Sequence, residues 1–243
     1  MTKTETQING GLTLCEYREG IRFGTDAFLL ADFARERLGS GTCADFGTGS
    51  GVLPLLLAKS GSKARFVAVE LQETYAALAA ENVSRNGFAD KIEVVQGDLR
   101  RYRDIFTAGS MSTVISNPPY LPRDCGKKNL TDEKRMAWHD DTLSASELAQ
   151  AAAWALKSGG KFFCVYLPTR LSGLFYALRT QAIEPKRIRL VAPSPAEAPS
   201  LVLIEAKKDA AEGLVWMPAL HLYTDRTHAV ESEELRDMYA SFG

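Results

Sequence analysis

The chain has 243 residues, of which 45% are hydrophobic and 24% charged, close to globular averages, so disorder and fibrous architectures are excluded and one large core is expected. A formal net charge of -1, with a pI near 6.3, excludes a whole-molecule field that attracts polyanions, and nucleic-acid binding has to be local. No apolar run nears the roughly 18 residues of a membrane span, and the polar first 11 residues lack a signal-peptide core, which points to a cytoplasmic protein without membrane contact.

In chain order, residues 12–23 read as a short hairpin turning at Glu19-Gly20, and residues 27–38 as a helix. Thr25-Asp26 stands at the start of that helix, where the pair suits an N-cap or a ligand contact equally. From about residue 42 to 206, short runs rich in Val, Phe and Ile alternate with helical periodicity, the α/β pattern. Strands are expected at 42–46, 64–69, 92–96, 113–116, 161–167, 187–191 and 201–206. Leu71, Tyr75, Leu78 and Asn82-Val83 form a helical stripe that ends at Asn86-Gly87. Residues 143–156 form an Ala-rich helix stopping at Ser158-Gly159-Gly160, and Leu171, Leu174, Phe175 and Leu178 mark another. Residues 214–223 are apolar enough to pack but too short for a domain. The division expected is an N-terminal extension (1–41), a core (42–207) and a C-terminal appendage (208–243). Cys15, Cys43, Cys125 and Cys164 contain no C-x-x-C pair, so zinc, redox and disulfide readings lack the required spacing and no metal is expected.

Asp45-Phe46-Gly47-Thr48-Gly49-Ser50-Gly51 lies where the first core strand turns into a helix. Three glycines at alternate positions let backbone approach a ligand, such as a pyrophosphate or the amino-acid end of a nucleoside, although a tight turn alone has the same look. Glu70 ends the second strand about 20 residues later, where an acid can accept from ribose hydroxyls. After the third strand, Gly97-Asp98-Leu99 places a carboxylate where it could accept from an adenine amino group. Singly, Asp98 is also a helix N-cap and Glu70 a solvated strand end; their succession along one sheet edge favours a ligand site.

Asn117-Pro118-Pro119-Tyr120 directly follows the fourth strand. Two prolines hold an extended turn and remove two backbone donors, leaving acceptors outward. An exocyclic amine such as adenine N6 is a poor nucleophile because its lone pair is delocalised into the ring. The Asn117 side-chain oxygen and the Pro118 carbonyl can accept both of its N–H groups and free that lone pair, while Tyr120 offers a face on which a base stacks for about 1–3 kcal/mol.

With these motifs the chain resembles the class I, Rossmann-like S-adenosylmethionine-dependent methyltransferases. Within them, Gly24-Thr25-Asp26-Ala27-Phe28-Leu29-Leu30 and Ile183-Glu184-Pro185-Lys186-Arg187 are similar to the bacterial tRNA1(Val) adenine-N6 methyltransferases. The resemblance implies a seven-stranded, mostly parallel sheet flanked by helices, with an antiparallel last hairpin. It implies S-adenosylmethionine against Asp45, Gly47, Thr48, Gly49, Gly51, Glu70, Leu71, Asp98, Leu99 and Asn117, with Thr25 and Asp26 near its methionine end. Asn117, Pro118, Pro119 and Tyr120 become the catalytic motif, and the acceptor an adenine next to the anticodon, position 37 of a tRNA.

Residues 121–142 are long for a connection and hold the densest basic cluster, Arg123, Lys127, Lys128, Lys134 and Arg135, so they read as an RNA-binding loop or a disordered excursion. His139 beside Trp138 is given no base role. Two smaller clusters are Arg100, Arg101 and Arg103, and Lys186, Arg187 and Arg189. The nearest rival function is methylation of a glutamine amide in a release factor, but only about 40 residues precede the first core strand, too few for a separate helical recognition domain. DNA adenine methylation lacks a target-recognition segment. A nicotinamide oxidoreductase shares the glycine turn and acid but not the G-x-G-x-G spacing or the Asn-Pro-Pro-Tyr motif. A binding module with a lost site conflicts with every expected position being filled.

Overall fold

A computed structural model describes residues 2–8, 11–18, 24–118 and 143–242. The chain opens with an antiparallel hairpin of β1 (Lys3–Ile8) and β2 (Leu12–Tyr17). Of the hairpin expected at 12–23, residues 12–17 are a strand that pairs upstream with β1, while the turn at Glu19-Gly20 and residues 21–23 lie outside the described residues. The strand β1 carried no apolar signal because only its last side chain, Ile8, is buried.

Then come α1 (Thr25–Arg35), β3 (Thr42–Phe46), α2 (Val52–Lys59), β4 (Arg65–Glu70), α3 (Glu73–Arg85) and β5 (Ile92–Gln96). A 3-10 turn (Leu99–Arg101) leads into α4 (Tyr102–Ile105) and β6 (Met111–Ser116). After the connection 119–142 follow α5 (Ala145–Ala155), β7 (Leu156–Tyr166), α6 (Leu171–Thr180), β8 (Ile183–Ala192) and β9 (Leu201–Lys208). The two-residue strands β10 (Val215–Trp216) and β11 (Leu220–His221), and α7 (Glu233–Ala240), complete the described chain.

The sheet runs β10-β8-β9-β7-β6-β3-β4-β5, with β11 also on β8, and only β9 is antiparallel. All seven expected strands are present. The apolar 214–223 segment adds β10 and β11, which brings the sheet to nine strands. Two strands begin earlier than their apolar runs do. In β7, Leu156 pairs with Met111 and Lys161 with Thr113, so Ser158-Gly159-Gly160 bulges out; a Cβ on Gly160 would stand 2.8 Å from the Lys157 carbonyl. In β8 the register shifts between Pro185 and Arg187, a bulge that accommodates a residue with no N–H to donate.

One apolar layer joins α1 and α2 to the sheet through residues such as Leu29, Leu55, Phe66 and Phe163; the other joins α5 and α6 through Phe46, Leu148, Phe162 and Leu178. Lys161 Nζ donates to the Arg37 carbonyl at 2.6 Å and Thr113 Oγ1 to the Leu38 carbonyl at 3.2 Å. These contacts tie the residues just after α1 to the first half of β6 and to the middle of β7. The 11-residue helix, about 16 Å long, therefore runs against the strands and delivers Thr25 to their carboxyl edge. No helix among the described residues is long and apolar enough to cross a membrane.

Candidate active site

The parallel register aligns the ends of four strands: Phe46 pairs with Val69 and with Ser116, and Glu70 with Gln96. Ser116 Oγ donates to the Phe46 carbonyl at 2.9 Å, fixing β6 against β3. The glycine turn, Glu70, Asp98 and Asn117 thus share the carboxyl edge, where ligands bind in open α/β sheets.

Within the turn, Gly47, Gly49 and Gly51 have φ of 77°, 57° and 81°, a left-handed region closed to most side chains. A Cβ on Gly47 or Gly49 would meet nothing within 4 Å, so this backbone borders open space, whereas a Cβ on Gly51 would stand 3.4 Å from the Ala79 Cβ, so this glycine faces α3. Gly47 N and Thr48 N both donate to the Val69 carbonyl, at 2.9 and 3.0 Å.

Glu70 is not a solvated strand end. Its carboxylate accepts from Gly49 N at 2.9 Å and from Gln72 N at 3.0 Å, so it clamps the glycine turn and keeps lone pairs for further donors. Asp45 is 1% exposed, and neither its Oδ2 nor the buried Thr48 Oγ1 has a hydrogen-bond partner among the described residues. Burial pushes the Asp45 carboxyl up to about 7; the nearby Thr48 hydroxyl offsets part of this and the Glu70 charge adds to it.

Asp98 caps the 3-10 turn, accepting from Arg100 N at 2.9 Å, and pairs with the Arg100 guanidinium at 2.8 Å, which holds its carboxyl below the usual carboxylate range. Here the capping role is realised, at a position still open to solvent. The half-exposed Leu71 follows Glu70, while the Leu99 side chain packs inward with Phe46 and Phe106 and leaves only its backbone toward the edge. Thr25 and Asp26 are not caps: Gly24 holds the N-cap position of α1 and no side chain caps it. Asn117 and Pro118 are half-buried directly after β6. Pro119, Tyr120, Arg123, Lys127, Lys128, Lys134 and Arg135, like Cys125, Trp138 and His139, lie outside the described residues.

Sequence reasoning missed the support beneath the turn. Asn82, fully buried on α3, donates to the Ser50 carbonyl at 2.9 Å and the Cys15 carbonyl at 3.0 Å, and accepts from Cys15 N at 2.8 Å. One turn on, Asn86 accepts from Thr13 N and donates to the Thr13 carbonyl, both at 2.9 Å. The two amides act as a strand surrogate that pins β2 to the helix and to the glycine turn. Their i, i+4 spacing was the available signal, read only as the end of a helix.

The lesser basic clusters are committed elsewhere. Arg187 Nε lies 2.9 Å from Glu205, which is buried on β9 and also paired with Arg37 at 2.9 Å; Arg187 additionally sits 4.7 Å over the Phe33 ring. Lys186 donates to the Ala211 carbonyl, and Arg189 pairs with Glu234 at 2.6 Å. Arg101 pairs with Asp104 at 2.8 Å, and Arg103 stacks 4.9 Å over Trp154.

The methyltransferase small domain family model matches residues 18–172, which include the turn, Glu70, Asp98 and Asn117. The chain belongs to this family. It is 33% identical over 210 residues to the tRNA1(Val) (adenine(37)-N6)-methyltransferase of Bacteroides fragilis, covering 84% of this chain and 86% of that protein. To the enzyme of the same name from Escherichia coli it is 34% identical over 197 residues, covering 80% and 78%. Among solved structures, a predicted O-methyltransferase of Agrobacterium tumefaciens superposes with a TM-score of 0.71 at 21% identity over 90% of this chain and 97% of that one, a likeness of fold. The chain is a methyltransferase, and S-adenosylmethionine is its methyl donor.

The methyltransferase site fits that donor on two counts: the open cradle at Gly47 and Gly49, and the unsatisfied buried oxygens of Asp45 and Thr48. The second has a measurable consequence. An Asp carboxyl ionises near 3.9 in the unfolded chain. Because the folded value is higher, its contribution to stability is present below that value and is lost as pH rises through about 7. Ligand-free protein should therefore lose stability between pH 4 and 7, and Asp45→Asn should flatten that part of the profile. Thermal melts at pH 5 and 8 test this; a parent–variant difference equal at both pH values would mean that Asp45 ionises as in the unfolded chain.

Proposed function

We propose that this methyltransferase transfers a methyl group from S-adenosylmethionine to N6 of an adenine in tRNA, at position 37 of tRNA1(Val). The observation carrying the reading is Asn117-Pro118 directly after β6, on the strand edge that also holds the glycine turn. The names of the B. fragilis and E. coli relatives supply the acceptor. A tRNA substrate supports a cytoplasmic location.

S-adenosylmethionine supplies an electrophilic methyl on a sulfonium centre. In the pose we infer, the backbone of Gly47, Thr48, Gly49 and Gly51 lies along it, and Glu70 accepts from the ribose hydroxyls beside Leu71. Asp98 and the Leu99 backbone face the adenine end; Asp45, Thr25 and Asp26 lie toward the amino-acid end. The Asn117 side-chain oxygen and the Pro118 carbonyl hold the acceptor N–H groups. The amine turns cationic on methylation and then loses its proton to water, so no strong general base is needed. In this reading residues 42–207 form the catalytic core, with 1–41 and 208–243 as extensions, and Pro119 and Tyr120 complete the acceptor turn.

Incubation with labelled S-adenosylmethionine and total tRNA, then digestion to nucleosides, should yield label in N6-methyladenosine. Label appearing in the protein fraction alone would overturn the assignment in favour of a glutamine amide.

The pose predicts that Glu70→Ala and Asp98→Ala each weaken S-adenosylmethionine by about 1.5–3 kcal/mol, the size of a charge-assisted hydrogen bond. Glu70→Ala should also lower the melting temperature, since Gly49 N and Gln72 N lose their acceptor, and Asp98→Ala should lower it less, since only Arg100 N loses its cap and the position is partly open to solvent. Calorimetric titration decides; unchanged affinity in both variants would sink the pose.

For the RNA, the reading assigns Arg123, Lys127, Lys128, Lys134 and Arg135 as a phosphate-binding rim. Neutralising Lys127 and Lys128 together should weaken RNA binding and flatten log affinity against log salt by roughly 0.7–0.9 for each phosphate no longer neutralised, with S-adenosylmethionine affinity unchanged. An unaltered slope in titrations at several salt concentrations would remove the rim. The search would then move to Lys186, Arg187 and Arg189, of which Arg187 and Arg189 are ion-paired within the fold to Glu205 and Glu234 while Lys186 donates to the neutral Ala211 carbonyl.

A further inference from the structure

The C-terminal helix reaches the active-site edge. Ser232 caps α7 by accepting from Leu235 N at 3.1 Å, and Leu235, Met238 and Phe242 bury themselves in the layer that contains α1. Tyr239 and Phe242 stack edge-on against Phe28, at 5.0 and 5.9 Å between ring centroids. Arg35 lies 5.4 Å over the Phe242 ring and donates to Ser241 Oγ at 2.7 Å. These contacts seat α7 on α1 without the Tyr239 hydroxyl. That hydroxyl is instead 3.1 Å from Thr25 Oγ1, on the first residue of α1.

The direction of this hydrogen bond matters. One hydroxyl donates and the other accepts, so the accepting group keeps its own proton for a third partner. A phenol is a stronger acid than an aliphatic alcohol, and burial pushes the Tyr239 phenol above its ordinary value, which keeps it protonated through neutral pH. Donation from Tyr239 to Thr25 leaves the Thr25 proton to be given away at the carboxyl edge. α1 packs against β7 and β9 beside α2, so Thr25 stands on the β6–β7 side of the glycine turn, away from Glu70 and Asp98.

We propose that Tyr239 is a positioning residue for cofactor binding: through its hydrogen bond to Thr25 it presents the Thr25 hydroxyl as a donor to the carboxylate of the methionine end of S-adenosylmethionine. The C-terminal segment is then part of the cofactor site rather than an appendage. The inference rests on the pose above, in which Thr25 faces that end of the ligand.

The test compares S-adenosylmethionine with 5′-methylthioadenosine, which keeps the nucleoside and thioether but has no amino-acid end. Tyr239→Phe keeps the ring that stacks on Phe28 and deletes only the hydroxyl. It should weaken S-adenosylmethionine about 3- to 10-fold, the worth of one hydrogen bond, and leave 5′-methylthioadenosine within about twofold. Thr25→Val should show the same selectivity, and the double variant should bind no more weakly than Thr25→Val alone. Thr25→Ser, which restores a hydroxyl, should recover most of the affinity. Equal weakening of both ligands by Tyr239→Phe would reduce the contact to a structural one and overturn the proposal. Loss in Thr25→Val with none in Tyr239→Phe would overturn it while sparing the pose. An unaffected Thr25→Val would remove the pose at Thr25, and the proposal with it.

Discussion

Asn117→Ala is expected to lower turnover by about 100-fold or more while S-adenosylmethionine affinity stays within about threefold, because removing one preorganised acceptor from a developing charge costs about 10²–10³ in rate. The effect arises at the amine. Adenine N6 attacks only when its lone pair leaves conjugation with the ring, and the growing positive charge on nitrogen strengthens its N–H groups as donors. An acceptor held in place is therefore worth more in the transition state than in the ground state, which is the condition for an effect on rate. Asn117 meets that condition: β6 ends at Ser116, whose hydroxyl ties it to the Phe46 carbonyl, so the following residue is placed by the sheet itself. Asn117→Asp is a useful companion, since it retains an acceptor oxygen and should lose less than alanine. Calorimetry with S-adenosylmethionine and single-turnover methylation of tRNA separate the two quantities. Parallel loss of both in Asn117→Ala would place the residue in the cofactor pocket only.

The second large effect concerns stability. Asn82→Ala removes three buried hydrogen bonds at once and leaves Cys15 N, the Cys15 carbonyl and the Ser50 carbonyl without partners. Each buried group left unsatisfied costs about 1–3 kcal/mol, and local relaxation recovers part of that, so a loss of about 3 kcal/mol is expected. For a chain of this size that corresponds to roughly 6–12 °C in melting temperature. Asn86→Ala, at a half-buried position, should cost about 1 kcal/mol. Asn82→Asp keeps an acceptor for Cys15 N but loses both donated bonds and buries a charge, so it should not rescue. Because Ser50 belongs to the glycine turn and the gain from a ligand is set by the affinity of the folded state, the Asn82→Ala protein should gain less from added S-adenosylmethionine in the same melt than the parent does. A melting temperature within about 2 °C of the parent would show that the hairpin is held by its apolar contacts alone.

Much of the candidate site was legible because its residues follow strands. A strand has a period of two and a defined end, and in a parallel sheet each end lies on the same edge, so Gly47, Glu70, Asp98 and Asn117 could be placed beside one another from local pattern alone. Their second roles were not legible. Glu70 clamps Gly49 N and Leu99 faces the core, and each depends on which atoms lie opposite, whereas the cap formed by Asp98 was among the readings its position offered.

By itself the sequence determined the fold class, the seven principal strands, and the places of the strand-end acids and of Asn117-Pro118 after the fourth of them, since each is written in contiguous residues by periodicity, turn chemistry and spacing. Only the tertiary structure decided the rest. The hairpin began upstream because β1 buries a single side chain; Asn82 and Asn86 proved to be a strand surrogate 67 and 73 residues from their partners; Tyr239 met Thr25 across 214 residues of chain. The physical reason is common to the last two. A hydrogen bond between distant residues leaves no periodic trace in either segment, and its partners are brought together only after the apolar faces of the sheet and helices have packed.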